Sequence, residues 1–231
     1  MTIVAIHQPN YLPWLGYFYK ILRADIFIFL DDAQYSKNSY TNRVQVLHAK
    51  KARWLTQPVS FNFGDPIDAV TVAAPDWKKK HLDSLKGFYA KAPCFREVWA
   101  DFEALYDAIE DDHLANINTH LVRTIAERLG LQCRFVMASS LDTADATGDD
   151  RLIVLTELLA PGGCYLSGAG GVNYQDTAKF EAVGLRVEYQ NFKHPEYEQQ
   201  ASTFTSGLSI ADAVFNLGWG KTADLLIANP T

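Results

Sequence analysis

The sequence predicts an α/β fold with a mainly parallel sheet flanked by helices, and three features predict it. Short apolar runs rich in β-branched and aromatic residues alternate with segments of helical periodicity. A strand, loop, helix and second strand follow one another within about thirty residues of the N-terminus, the length of a βαβ unit. A mostly helical insertion at about 76–130 separates this unit from later strand–helix alternation.

Ile3-Val4-Ala5-Ile6 reads as a buried strand ended by Gln8-Pro9-Asn10. Helical spacing runs from Trp14 to Arg23, and a second buried strand from Asp25 to Leu30 ends in Asp31-Asp32. The crossover between these strands should be right-handed. Further strands are predicted at 54–59 and 67–72, with Phe63-Gly64-Asp65-Pro66 as the turn. Asp76 is placed to cap a helix reaching about Tyr89, stopped by Lys91-Ala92-Pro93. The stretch 97–129 reads as two helices broken near Asp111-Asp112, with Gly130 in the C′ position. The remainder alternates: strand at 135–137, polar loop at 139–150, helix at 151–159, strand at 164–166, Gly-rich loop at 167–171, helix at 174–182, strand at 185–190 and helix at 208–215. No internal repeat or linker interrupts the 231 residues, so one α/β domain over 1–231 is expected.

Composition narrows the functional classes. The chain is 48% hydrophobic and 21% charged, which is ordinary globular usage. Its net charge of −6 and its lack of a basic stripe argue against a nucleic-acid partner, while leaving room for a small anion held by local donors. Cys94, Cys133 and Cys164 are odd in number and lack CxxC spacing, which fits reduced thiols in a cytoplasmic protein. MTIVAIHQPN is not a signal peptide, and the longest apolar run, 26–30, is too short to span a bilayer.

In parallel α/β sheets ligands bind beyond the carboxyl ends of the strands, and here those ends are rich in polar residues. His7, Gln8, Asn10 and Tyr11 follow the first strand, and Asp31 the second; Ser167 and Gly168 follow a later one, and His194, Tyr197 and Gln199 the last. An imidazole at His7, between a strand and a helix N-terminus, is suited to hold a phosphate or move a proton; a histidine satisfying a loop carbonyl fits equally. His194, kept extended by Pro195, is the second candidate, with a structural histidine as its alternative. Asn42-Arg43 can clamp a carboxylate or phosphate, or Arg43 can pair with Asp31 or Asp32. Lys80-His81 lies on a predicted helix one turn after Trp77, where a lysine is usually solvated but can also reach an anion. SGAGG at 167–171 can offer backbone donors but lacks the Lys-Ser/Thr of a P-loop, and Tyr174 beyond it is as readily packing. Cys164 is the best-placed thiol for a nucleophile, against a buried inert one. HExxH, GxSxG and GxGxxG are all absent, so no metal site is expected and a nicotinamide site is not supported.

These segments also carry a likeness. HQPNYLPWLGYFYKI at 7–21, FLDDAQYSKNSYTNR at 29–43, Trp54-Leu55, Trp77 with Lys80-His81, YLSGAGGVNY at 165–174, HPEYEQ at 194–199 and LSIADAVFNLG at 208–218 resemble the WbqC-like protein family along nearly the whole chain. The local departure is Ala211-Asp212-Ala213, where the family more often has a bulkier helix face. The resemblance implies a place among enzymes of O-antigen and related lipopolysaccharide or natural-product clusters, with transfer of a glycyl or other aminoacyl group to an amino sugar as the suggested role. It marks His7, Gln8, Asn10, Asp31, Asn42, Arg43, Lys80, His81, Ser167, Gly168, Tyr174, His194 and Gln199 as site residues. The N-terminal unit also resembles Rossmann-like HUP-type nucleotidyltransferases, but the second His of their HxGH loop is missing from PNYLPWLGY.

The functional expectation is therefore a transferase that forms an amide by moving an acyl or aminoacyl group to an amine, such as a nucleotide-linked amino sugar. His7 or His194 acts as base, with Lys80 and His81 as further catalytic candidates. A thioester or nucleotide donor is expected, with an acyl-carrier protein as a possible partner. The rivals are an ATP-dependent ligase or nucleotidyltransferase, and a non-catalytic scaffold subunit.

Overall fold

The computed structural model describes residues 1–143 and 146–229. The loop predicted over 139–150 includes residues 144–145, which lie outside the described residues. Five strands form one sheet: β1 (Ile3–His7), β2 (Ile26–Phe29), β7 (Arg134–Met137), β8 (Cys164–Ser167) and β9 (Arg186–Tyr189). Their order is β7-β2-β1-β8-β9, and every pairing is parallel. The chain thus moves outward from β1 through β2 to β7, then returns to the other side of β1 with β8 and β9. The reversal between β1 and β8 is a topological switch point, where the crossovers leave a crevice above the strand ends. This is the Rossmann-like parallel sheet that the sequence predicts.

Strand chemistry follows position. Ile26-Phe27-Ile28-Phe29 is buried at every residue, as a central strand covered on both faces must be. At the edge, β9 alternates exposed Arg186 and Glu188 with half-buried Val187 and Tyr189, and such charges discourage further strand pairing. Ala5, Phe27, Phe29 and Leu166 pack on one face against α1 (Leu15–Leu22), α3 (Phe95–Asp107), α4 (Leu114–Arg128) and the long α7 (Ile210–Ile227). Val4, Ile6, Ile26, Ile28 and Tyr165 pack on the other against α5 (Gly148–Leu159) and α6 (Thr177–Ala182).

Helix ends agree in part with expectation. Gly130, at φ +71°, follows α4. Its N–H bonds to Glu127 O and that of Leu131 to Ala126 O, a complete Schellman termination. Asp76 makes no side-chain cap on α2 (Trp77–Tyr89); it forms an ion pair with Lys80 one turn on, at 2.9 Å. The final helix extends well past 215 to Ile227, through a kink at Gly218.

A hairpin spans 43–56, where the sequence predicted only a strand at 54–59. β3 (Arg43–His48) pairs antiparallel with β4 (Lys51–Thr56) through Ala49-Lys50, both at positive φ. A two-residue turn with both φ values positive is the type I′ geometry usually marked by Asn-Gly, a signal absent here. Around 59–72 the two-residue strands β5 (Val59–Ser60) and β6 (Thr71–Val72) form, and Ile67–Ala69, within the strand predicted at 67–72, is instead a 3₁₀ turn following Pro66.

The segment between β1 and α1 is pinned throughout. Tyr17 Oη donates to Gln8 O, Asn118 Nδ2 to Pro9 O, Ser209 Oγ to Leu12 O and the Ile210 N–H to Pro13 O, while the Tyr11 N–H bonds Tyr40 O. Asn118 also donates to Thr41 O at 2.6 Å, so one fully buried amide joins two loops. Replacing Asn118 by Leu leaves both carbonyls without this donor. The expected loss is about 2–4 kcal/mol in urea unfolding; a loss below about 1 kcal/mol, within surface-mutation range, would show that the loops hold without it.

Candidate functional site

β1 ends in His7 at the switch point, and a cleft runs over the strand ends on either side of it. The larger lobe, about 680 Å³, is lined by Ile6, His7, Gln8, Arg151, Tyr165 and Tyr174, among others. The smaller, about 320 Å³, is lined by His7, Trp14, Lys20, Gly168, Gln190 and His194 together with Phe192 and Gly16. His7 belongs to both walls. Side-chain alternation along β1 explains this: Ile6 points to the face of α5, Ala5 and His7 to the face of α1.

The state of His7 is defined by its neighbours. Nδ1 lies 3.1 Å from Gln8 O, an atom that can only accept, so Nδ1 carries the proton and Nε2 keeps its lone pair. The ring packs edge-on against Trp14 and Tyr17. Burial, with the nearby Lys20 charge in second place, pushes its pKa down to about 3, so the imidazole is neutral at physiological pH.

Lys20 is the ionisable residue of the smaller lobe that the sequence reading missed. It is 3% exposed, and Nζ donates to Ile6 O at 2.9 Å. Desolvation pushes its pKa down to about 7. The available signal was local: in LGYFYKIL, the whole of α1, it is the one charged residue. Trp14, Gln190 and Phe192 were missed because aromatic and amide side chains are common everywhere.

Of the sequence candidates, His7, Gln8, Gly168, Tyr174 and His194 line the cleft, Tyr174 on its rim at 75% exposure. Ser167 lies buried at the end of β8; a side chain at Gly171 would collide with its hydroxyl and with Gln175, so the loop needs glycine there. The others serve elsewhere. Asp31 is buried and accepts from the Ser139 N–H at 3.0 Å and Oγ at 2.5 Å, bracing β2 to the end of β7. Its neighbour Asp32 is paired with Arg151 at the larger lobe. Asn10 is buried in the pinned segment, and Asn42 Nδ2 donates to Gln57 O. Arg43 pairs with neither aspartate; its guanidinium lies 4.1 Å from the Trp54 ring centre.

Lys80 and His81 part company on α2. Lys80 is 66% exposed and engaged with Asp76. His81 is buried, with Nε2 3.1 Å from Thr56 O and Nδ1 2.5 Å from Tyr11 Oη. Because Thr56 O only accepts, Nε2 holds the proton, Tyr11 donates to Nδ1, and Tyr106 donates to Tyr11 in turn. Burial pushes the His81 pKa down to about 4. This network ties α2 and α3 to the segment after β1.

Tyr197 and Gln199 do share a face, as an extended stretch requires, but they meet Asp212 there: Tyr197 Oη and Gln199 Nε2 lie 2.8 and 3.0 Å from its Oδ2. Burial raises the Asp212 pKa, and hydrogen bonds from Tyr197, Tyr89 and Gln199 oppose the rise. The small-residue departure at 211–213 thus accommodates a buried carboxyl at the start of α7. Among the described residues Asp111, Asp112 and His113 bring ligand-type atoms within 4.8 Å of one another, but all three are exposed and outside both lobes. No helix among the described residues is long and apolar enough to cross a membrane.

The Lys20 environment has a measurable signature. Its folded pKa lies near 7 against 10.5 for a free lysine, so between these values the unfolded chain binds more protons and stability rises with pH. Relative to Lys20→Met, the wild type should gain on the order of 3 kcal/mol between pH 7 and about 9.5. Urea unfolding of both proteins across that range checks it; parallel pH curves would mean that the amine is solvated.

Comparison with known proteins agrees with the resemblance noted in the sequence. No solved structure matches the chain significantly. An uncharacterized protein of Mycobacterium tuberculosis, Rv1507c, is 31% identical over 221 residues, covering 94% of this chain and 95% of that one. The model of the WbqC-like protein family matches residues 8–224, from the residue after His7 through nearly all of α7. With the pinned segment, most of the cleft lining and nearly all of α7 inside that span, the chain belongs to the WbqC-like protein family.

Proposed function

We propose that the protein is a small-molecule transferase that forms an amide, moving an acyl or aminoacyl group from an activated donor to an amine in the cleft above β1 and β8. The suggested role of the family adds the class of acceptor, an amino sugar or related metabolite of surface-polysaccharide or natural-product synthesis. The observation that carries the reading is the neutral His7 ring on the wall common to both lobes, with Nδ1–H held by Gln8 O.

Two lobes meeting at one imidazole suit two reactants whose reacting atoms must come together. The amine nitrogen attacks the donor carbonyl carbon, forming the C–N bond. The N–H proton passes to His7 Nε2, while Gln8 O stabilises the imidazolium through Nδ1–H. Collapse of the tetrahedral adduct breaks the bond to the leaving group, a thiol or phosphate, which takes the proton back from Nε2. In the free protein the ring is a weak base, which is tolerable because the proton leaves an already acidic ammonium adduct. His194, on the rim of the smaller lobe, is the second proton carrier.

The test is incubation of the purified chain with aminoacyl thioesters, or with amino acids plus ATP, against a panel of amino sugars, reading amide products by mass. Thioester-dependent product is the expected result. His7→Asn, with an unchanged circular-dichroism spectrum, should lower kcat by about 10²–10⁴. Full turnover in that variant would remove the base role, and product that appears only with ATP and releases pyrophosphate would favour a ligase.

A further inference from the structure

We propose that the smaller lobe is an anion subsite, in which Lys20 receives a carboxylate or phosphate group of the donor. The assignment rests on the cleft being the working site, but its test needs neither acceptor nor turnover.

Lys20 is a buried amine with no carboxylate beside it among the described residues. An ammonium group has three donors, and among the described residues Lys20 uses one, on Ile6 O. A buried lysine is ordinarily matched by a carboxylate, because leaving an ammonium alone in a desolvated site is costly. Among the described residues Lys20 forms no salt bridge, and no Asp or Glu lines the lobe. The titratable groups around it are His7 from β1, Tyr17 from α1 and His194 from the segment after β9. None of the three supplies negative charge: His7 is neutral, burial holds the Tyr17 pKa well above its ordinary value, and partial burial lowers that of His194. A ligand that brings the negative charge the fold does not supply turns this amine into an ammonium beside it.

The lobe has space for it. Gly16, Gly168 and Gly170 supply backbone without side chains to its wall. A Cβ at Gly16 would lie 2.8 Å from Phe192 and 2.9 Å from Trp14 Nε1, so the wall admits no bulk at that point. Gln190 is fixed by its bond to Gly16 O at 2.6 Å.

Anion binding should be coupled to proton uptake, because the amine is largely neutral at pH 8 and becomes ammonium beside the ligand. The experiment is isothermal titration of the full chain at pH 8 with sulfate and, separately, with N-acetylglycine, each in two buffers of different ionisation enthalpy. Saturable one-site binding of at least one anion with uptake approaching one proton is expected. Tighter sulfate identifies a phosphate-bearing ligand, and tighter N-acetylglycine a carboxylate. Lys20→Met should weaken binding at least tenfold and remove the uptake. Lys20→Arg should keep binding without uptake, since guanidinium stays charged. His194→Gln should leave most of the uptake in place. Absence of saturable binding for both anions in the wild type, or equal affinity in a folded Lys20→Met, overturns the assignment. A transferase that fails this titration retains its reading with an uncharged donor, so the two ideas fail separately.

Discussion

The hydrogen bonds that pin residues 8–14 are the constraint from which the rest of the cleft follows. They come from α1, from α4, from the turn before β3 and from the first turn of α7, parts of the chain that are otherwise remote in sequence. Pro9 and Pro13 have fixed φ and no N–H to satisfy, which lowers the cost of holding an irregular segment under helices. Leu12 even adopts φ +40°, a conformation a leucine holds only when its surroundings determine it. A backbone so fixed gives His7 one tautomer and one orientation, because the Gln8 carbonyl that holds its ring is itself held by Tyr17.

The second organising feature is desolvated charge. Tyr17, Trp14 and Phe192 surround the smaller lobe with aromatic surface, and the same packing that stabilises α1 against the sheet strips water from Lys20 and His7. Burying a lysine without a carboxylate costs folding energy. A fold that carries the cost at a cleft, while pairing Asp32 with Arg151 in the neighbouring lobe, spends stability where ligand electrostatics are decided.

Other polar residues singled out in the sequence are engaged as fasteners within the fold. Tyr11, His81 and Tyr106 form one proton-ordered chain between helices, and Tyr197, Gln199 and Asp212 form another at the start of α7. Each satisfies groups that would otherwise be orphaned in an apolar interior, where a lost partner costs more than the bond gains. Specific side-chain identity at these places reflects donor and acceptor matching, which a sequence motif cannot separate from chemistry on a ligand.

The sequence by itself determined the class of fold and the end of the sheet at which to look. Runs such as Ile26–Phe29 are apolar at every position, which a strand buried on both faces requires, and Gly130 marks a helix end that only a positive φ completes. It also pointed to His7 and His194, because strand ends are local features. Tertiary structure alone decided which polar residues share the cleft. Lys20 is unremarkable until the sheet and the segment after β9 close over it, and His81 is a catalytic candidate until Thr56 and Tyr11 occupy both ring nitrogens. The hairpin turn at Ala49-Lys50 was equally hidden, its backbone being imposed by cross-strand pairing and not by residue preference. The physical reason is common to all three: periodicity and turn chemistry act over a few residues, whereas desolvation and hydrogen-bond partnership depend on segments that meet only in the folded chain.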